Sequence, residues 1–297
     1  MFDKAVPVVV GVDGSPSAFK AARWAGAVAD AAGSPLHVVH AEPDFGHNWS
    51  DAGAAIRAAE ITEQRDSATA ILKGVEDAVR ADFGELTITA DDFAEPVKDV
   101  LIRLSRLAWL VVLGCDELTP AGALLLGSTT LAVANRAMCA VVAWRGDATS
   151  PTQQPLVVGV DGSPSSGTAL AQAFELASLF GAPLRIVHCW SGLAALDEAI
   201  APFLTHGSQL EAAERQAVSE AVAVLRPRYP DVRVSTFVEP NSPGRALLAH
   251  SADAQLVVVG NRGRNALAGT LLGSTSLNVL HHANVPVVLC RDGNGHG

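Results

Sequence analysis

Aromatic residues and cysteines are both scarce in this sequence. Aromatic side chains make up 5% of the 297 residues, whereas hydrophobic residues make up 49%. The cores must therefore be filled by Val, Leu, Ile and Ala, as in parallel sheets that helices cover on both faces. The four cysteines, Cys115, Cys139, Cys189 and Cys290, form no CxxC pair, so nothing indicates a zinc or thioredoxin-type site. We interpret them as reduced, mostly buried small hydrophobic residues.

Long apolar runs, a basic charge balance and two common nucleotide motifs are also missing. The longest apolar stretches, such as 107–114 and 256–260, are much shorter than the roughly 18 to 20 residues of a membrane span. The formal net charge of -10 argues against binding to nucleic acid or anionic membrane. The N-terminus lacks the zones of a signal peptide, so we expect a cytoplasmic protein. The chain has no Gly-Lys-Ser/Thr, which excludes a P-loop NTPase. It has no GxGxxG after the first strand of either half, so a Rossmann dinucleotide site is not supported.

An internal repeat organises the chain. Residues 9–17 recur without a change at 157–165, and residues 125–129 recur at 271–275. The offset falls from 148 to 146 between these two matches, and such a long period indicates two whole domains. We predict domains at 1–147 and 153–297, joined by the polar linker 146–155.

Within each half, short Val-rich runs alternate with Ala-rich segments of helical length, which predicts consecutive βαβ units and a parallel sheet. We expect strands at 6–12, 36–40, 86–91, 110–114 and 140–144, and again at 155–160, 184–188, 232–238, 256–260 and 286–290. Ser17 and Ser165 are expected to cap helices that end at Gly33 and Gly181. The segments 41–55 and 189–207 differ between the halves and are expected to be long loops that serve as lids or contact surfaces.

Two loops that follow strands carry the candidate chemistry, because ligands of such sheets bind beyond the carboxyl ends of the strands. The first is Asp-Gly-Ser-Pro, at Asp13 and Asp161, where a carboxylate either binds sugar hydroxyls or forms an ordinary turn. The second is 260–263, followed after nine residues by 273–275. Its glycines allow positive φ and close backbone approach, and Gly273 opens a helix whose N–H groups can hold an anion.

The spacing Gly, two residues, Gly, nine residues, Gly-Ser resembles the ATP-binding signature of universal stress proteins, and the resemblance spans nearly the whole chain. It implies two flavodoxin-like (Rossmann-like) domains with strand order 3-2-1-4-5, each a five-stranded parallel sheet with helices on both faces. It implies that Asp161 binds ribose, that the main chain near Cys189 contacts adenine, and that the glycine loop holds phosphates. The nucleotide-binding residues would be Gly11, Asp13, Gly14, Ala41, Gly114, Gly127, Ser128 and Thr129 in the first half, and Gly159, Asp161, Gly162, Cys189, Gly260, Arg262, Gly263, Arg264, Gly273, Ser274 and Thr275 in the second. Gly11 and Gly159 would leave room for the nucleotide, or else relieve helix packing.

The two halves differ in the glycine loop. Residues 115–118 carry two acids where 261–264 carry two arginines, and Glu117 replaces Gly263. Arginine suits phosphate, and a carboxylate repels it. Glu117 would add strain if the backbone there needs positive φ. We therefore expect tighter ATP binding in the second half, unless Asp116 or Glu117 reaches Mg²⁺ on the phosphates.

The resemblance implies a stress-response switch in which ATP orders the loops and changes the surface offered to an unidentified regulatory partner. It also implies that the last strands of the halves pair with each other and that whole chains form homodimers. The alternative is an enzyme of the same fold, a slow ATPase or nucleotidyl-transfer enzyme, although no general base is evident beside the second loop. A flavin protein shares the fold but lacks aromatic support in these loops. No histidine pattern indicates a metal site, and Trp49 and Trp190 are candidates for ligand or partner contact.

Overall fold

The computed structural model describes residues 6–42, 54–115, 127–190, 207–263 and 272–292. These residues form two compact units, which part between Ser150 and Pro151. Each unit is an α/β domain with five described strands. None of the helices within the described ranges combines the length and the apolar character of a membrane span.

The first unit alternates strands and helices along the chain. Its elements are β1 (Val8–Gly11), α1 (Pro16–Ala32), β2 (Leu36–Ala41), α2 (Ala54–Asp82), β3 (Ile88–Phe93), α3 (Val97–Leu104), β4 (Leu110–Gly114), α4 (Ser128–Arg136) and β5 (Ala140–Trp144). The strands pair in parallel in the order β3-β2-β1-β4-β5.

The second unit repeats this arrangement. Its elements are β6 (Leu156–Val160), α5 (Pro164–Phe180), β7 (Leu184–Cys189), α6 (Gly207–Leu225), β8 (Val234–Glu239), α7 (Pro243–His250), β9 (Leu256–Gly260), α8 (Ser274–His282) and β10 (Val287–Cys290). Its parallel order is β8-β7-β6-β9-β10. The predicted strands and the strand order are confirmed in both units.

The valine runs form strands because both faces of each sheet are covered. In the first unit Val9 and Val111 pack against Leu101 of α3 and Val133 of α4. Successive residues of a strand point to opposite faces, and Val8 and Val10 are as fully buried as Val9. Apolar residues therefore occupy every position of the strand instead of every second one, which is the pattern of a parallel sheet between two helical layers.

The first helix of each unit begins two residues earlier than the sequence predicted. The N-cap of α1 is Ser15, whose Oγ accepts the Ala18 N–H at 3.2 Å. The N-cap of α5 is Ser163, whose Oγ accepts the Ser166 N–H at 3.2 Å. Ser17 and Ser165 are thus not caps, because proline after the earlier serine takes the first helical position, where its missing N–H costs nothing.

The predicted ends of these two helices are confirmed. Gly33 has φ 65° and Gly181 has φ 61°, the left-handed conformation that ends a helix. Most of the two expected long loops, including Trp49, lies outside the described residues.

Candidate functional site

A cleft of about 750 Å³ lies at the carboxyl ends of β6, β7 and β9 in the second unit. β6 lies between the other two strands. The chain adds β7 and β8 on one side of β6 and then β9 and β10 on the other side, so the strand order reverses at β6. Ligands of open α/β sheets bind at such a switch point. The predicted second-half residues that line the cleft are Gly159, Asp161, Cys189, Gly260, Arg262, Gly263, Gly273, Ser274 and Thr275. Gly162 does not line it, and Arg264 lies outside the described residues.

The loop after β6 is a tight turn that points a carboxylate into the cleft. Asp161 Oδ1 accepts the Ser163 N–H at 2.9 Å, and Gly162 has φ 78°, which favours glycine there. Asp161 therefore does form the ordinary turn that was one of its two interpretations, since one carboxylate oxygen stabilises the start of α5. The other oxygen faces the glycine loop, because Asp161 Oδ2 lies 3.0 Å from where a Cβ on Gly263 would stand.

Close backbone approach, one of the two reasons expected for glycine in the loop after β9, is what the structure shows at Gly260. A Cβ on Gly260 would lie 2.8 Å from the carbonyl carbon of Ser165, and a Cβ on Gly114 would lie 2.8 Å from that of Ser17. Both glycines thus let the strand end pass close to the first turn of a helix. Neither Gly260 nor Gly263 has a positive φ. The expected left-handed backbone is therefore wrong for these two glycines. The strain argued for position 117 stays a prediction, because that residue lies outside the described residues.

Two serines attach the glycine loop to its neighbours. Ser165 Oγ donates a hydrogen bond to the Arg262 carbonyl oxygen, and Ser276 Oγ donates to the Gly260 carbonyl oxygen at 2.5 Å. Both serines are buried. The backbone of the loop is therefore held before any ligand arrives, which lowers the entropy cost of binding. Sequence reasoning missed this role, since Ser165 was expected to be a cap.

The start of α8 forms another wall of the cleft. Gly273 is its N-cap, with φ -67°, and no side chain within the described residues caps it. The Leu277 N–H makes the first bond of the helix, to the Gly273 carbonyl oxygen at 2.9 Å, so the N–H groups of Ser274 and Thr275 precede the helical ladder. Such N–H groups and the helix dipole favour a bound anion.

The β7 end of the cleft is formed by His188, Cys189 and Trp190, with Leu210 and Glu214 of α6. Burial, followed by the nearby Glu239 carboxylate, raises the pKa of the Cys189 thiol to about 11, so this thiol stays protonated at neutral pH. Sequence reasoning did not single out Glu214 as a site residue. The four-residue spacing of Leu210 and Glu214 places them on one helix face, which is the only signal that the sequence offers.

The first-unit candidates stay predictions, and the structure shows where most of them lie. Three of them are the last residues of strands, two follow β1 and three open α4: Gly11, Ala41 and Gly114 end β1, β2 and β4, Asp13 and Gly14 follow β1, and Gly127, Ser128 and Thr129 open α4. A Cβ on Gly11 would lie 2.8 Å from Leu113 Cδ2, and one on Gly159 would lie 3.0 Å from Leu247 Cδ1, so packing already explains both glycines. Residues 116–126, with Asp116 and Glu117, lie outside the described residues, and the charge contrast stays a prediction. Within the described ranges no group of three or more His, Cys, Asp or Glu could hold a metal ion.

Fold and cleft together define a duplicated α/β protein with a polar site at its sheet ends. The model of the universal stress protein family matches residues 6–145 and again residues 153–291. A universal stress protein of Mycobacterium tuberculosis is 38% identical to this chain over 300 residues, which is 96% of both chains. Another, from Mycolicibacterium smegmatis, is 34% identical over 289 residues, also 96% of both. A solved universal stress protein structure from Archaeoglobus fulgidus covers 97% of both chains with a TM-score of 0.69 and 19% identity, and so shares the fold. The chain belongs to the universal stress protein family and carries two tandem domains of it.

Proposed function

We propose that the second domain binds ATP in the cleft at the ends of β6, β7 and β9, and that the bound nucleotide acts as a switch. One observation carries this proposal: the loops that the ATP signature predicts, distant in sequence, line a single cleft. The volume of about 750 Å³ lies within the range of roughly 300 to 1,000 Å³ that is usual for ligand sites.

The phosphates belong at the β9 side. Gly263 and the first N–H groups of α8 lie there, and Arg262 adds a positive charge to the wall of the cleft. Backbone N–H groups, a helix start and an arginine are the donors that bind phosphate elsewhere.

The nucleoside belongs at the β6 and β7 side. Asp161 is the acceptor for ribose hydroxyls, and the main chain near Cys189 faces the base. β7 and β9 both neighbour β6, so their ends lie roughly 10 Å apart at the usual strand spacing. That distance suits a nucleotide that lies across the end of β6 with its base and phosphates on opposite sides.

Slow turnover is part of the proposal. The described residues on the β9 side include no histidine. The Asp161 carboxylate faces the glycine loop, but one oxygen accepts the Ser163 N–H and the other is assigned to ribose, so we expect no general base at the phosphates. Donors of this kind stabilise the bound ground state, whereas catalysis needs stronger contacts in the transition state. Mg²⁺ would accompany the triphosphate.

Calorimetry with ATP and Mg²⁺ on the intact chain tests the proposal. We expect binding, together with steady-state hydrolysis below about 1 per second, the lower end of ordinary enzyme rates. Asp161→Asn keeps the turn, because an amide oxygen can still accept the Ser163 N–H, but weakens the acceptor for ribose. It should weaken ATP binding by more than Asp13→Asn does, and absence of ATP binding in the wild type would refute the proposal.

The switch, the homodimer, the regulatory partner and the cytoplasmic location remain part of this proposal. ATP would order the loops at the cleft and change the surface that a partner meets. Sedimentation of the intact chain with and without ATP measures both the oligomeric state and any compaction. Identical sedimentation in the two states would count against the switch.

A further inference from the structure

A buried histidine and a glutamate form a pair at the β7 end of the cleft. The side chain of His188 is 4% exposed and that of Glu214 is 20% exposed. The imidazole Nδ1 lies 2.8 Å from the Val160 carbonyl oxygen, and Nε2 lies 2.9 Å from Glu214 Oε2. The ring is therefore held from both sides.

Hydrogen-bond counting defines the state of this pair. The Val160 carbonyl oxygen only accepts, so the proton on Nδ1 is donated to it. The bond between Nε2 and Oε2 then requires one further proton, and the pair as a whole is neutral wherever that proton lies. Glu214 can thus line a nucleotide cleft without adding net negative charge. In the ion-paired form both carboxylate oxygens are hydrogen-bond acceptors.

The surroundings of Glu214 suit a flat aromatic ring. Trp190, Leu210 and Cys189 line the same end of the cleft. The Trp190 indole Nε1 is buried and has no acceptor among the described residues. Largely apolar walls with a few fixed polar groups are typical of sites that recognise a heteroaromatic ligand.

We propose that Glu214, positioned by His188, selects the nucleobase by accepting a hydrogen bond from an exocyclic amino group. The cleft would then prefer adenine to a purine that carries a carbonyl at position 6. The inference rests on the proposed nucleotide binding. A half-buried acceptor that His188 holds in place discriminates against a purine with a carbonyl at position 6, because two acceptor oxygens would then face each other.

The described part of the first unit does not show this arrangement, although it has the matching histidine. His40 is equally buried, but its Nδ1 lies 2.8 Å from Asp92 Oδ1 on β3. The second-unit residue paired with His188 on β8 is Val238. Asp92 and Val238 are equivalent residues 146 positions apart. The same offset makes Ala68 of α2, which is 3% exposed, the first-half counterpart of Glu214. Asp92 therefore offers a matched control, because its carboxylate is hydrogen-bonded to the equivalent histidine but belongs to a strand and not to α2.

The test compares ATP, inosine triphosphate and 2′-deoxy-ATP by calorimetry on the intact chain. Inosine triphosphate replaces the 6-amino donor with a carbonyl, and deoxy-ATP lacks one ribose hydroxyl. We expect the wild type to prefer ATP to inosine triphosphate by about 10-fold or more. Glu214→Gln should reduce this preference to about 3-fold or less, because its amide can accept from a 6-amino group or donate to a 6-carbonyl. His188→Gln should reduce it similarly by removing the imidazole that positions Glu214, and both variants should leave the ratio of ATP to deoxy-ATP unchanged. Asp92→Asn should change neither ratio.

Each other outcome is decisive. Equal wild-type binding of ATP and inosine triphosphate, or an unchanged preference in Glu214→Gln, overturns the inference but leaves the proposed function. A change confined to the deoxy-ATP ratio shows that Glu214 contacts ribose and also overturns it. Failure of the wild type to bind ATP refutes the proposed function itself. If Glu214→Gln does not fold, Glu214→Asp carries the test: it retains the carboxylate on a shorter side chain, and an intermediate preference is expected.

Discussion

Placing a charge at Gly263 tests how the glycine loop sets ATP affinity. A Cβ at this position would lie 3.0 Å from Asp161 Oδ2, so the carboxylate of Gly263→Glu would lie roughly 4 to 6 Å from that of Asp161. At these distances two unit charges repel by about 1 to 4 kcal/mol, depending on screening. This repulsion exists with and without ATP, so it lowers the stability of the loop. A phosphate at about 4 Å is repelled by the introduced carboxylate by about 1 to 4 kcal/mol, and this is the term that weakens ATP binding. Because the φ of Gly263 is not in the left-handed region, the backbone itself tolerates the substitution.

Gly263→Gln is the matched control, since it has the same shape without the charge. Titration calorimetry with ATP, without Mg²⁺ and at low salt, should show the Glu variant binding at least about 5-fold more weakly than the Gln variant, the low end of the repulsion. Raising the ionic strength to about 0.5 M should narrow this gap, because salt screens exposed charges.

Two results would refute this reasoning. If the Glu and Gln variants bind ATP equally at low salt, charge at this position does not set affinity. If both lose binding to the same degree, contact with Asp161 is the cause. Either result would also remove the basis for expecting weaker binding in the first domain, where Glu117 occupies the equivalent position.

Two further predictions concern packing and thiol chemistry. Gly260→Ala places a Cβ 2.8 Å from a backbone carbon of Ser165 and should lower the free energy of unfolding by about 1 to 3 kcal/mol in denaturant titrations. Gly167→Ala, in α5 with nothing within 4 Å of its Cβ, should instead raise it by about 0.5 to 1 kcal/mol, and equal effects would contradict the packing argument. Because burial raises the pKa of Cys189 to about 11, its alkylation rate, followed by peptide mass spectrometry, should still climb between pH 9 and pH 10. An ordinary exposed thiol has a pKa of about 8.5 and levels off earlier, so a plateau by pH 9 would show that Cys189 is not desolvated.

The sequence alone determined the features that depend on local pattern. Unbroken valine runs bounded by turn residues predicted the strands, because parallel strands covered on both faces need apolar residues at every position. The duplicated segments predicted two domains of the same kind. Gly33 and Gly181 ended their helices as expected, since a left-handed residue after the last turn strongly favours glycine.

Only the tertiary structure decided which surfaces meet. His188 and Glu214 are 26 residues apart, and their pairing depends on how α6 packs beside the end of β7, which neither local propensity nor periodicity specifies. Gly260 likewise owes its small side chain to the passing first turn of α5, a contact across 95 residues of chain between Ser165 and Gly260. The spacing of the glycines predicted a site, but close approach between distant segments decided why each position must be small. Strand order followed from the family resemblance, because alternation along the chain is compatible with several orders of the same strands.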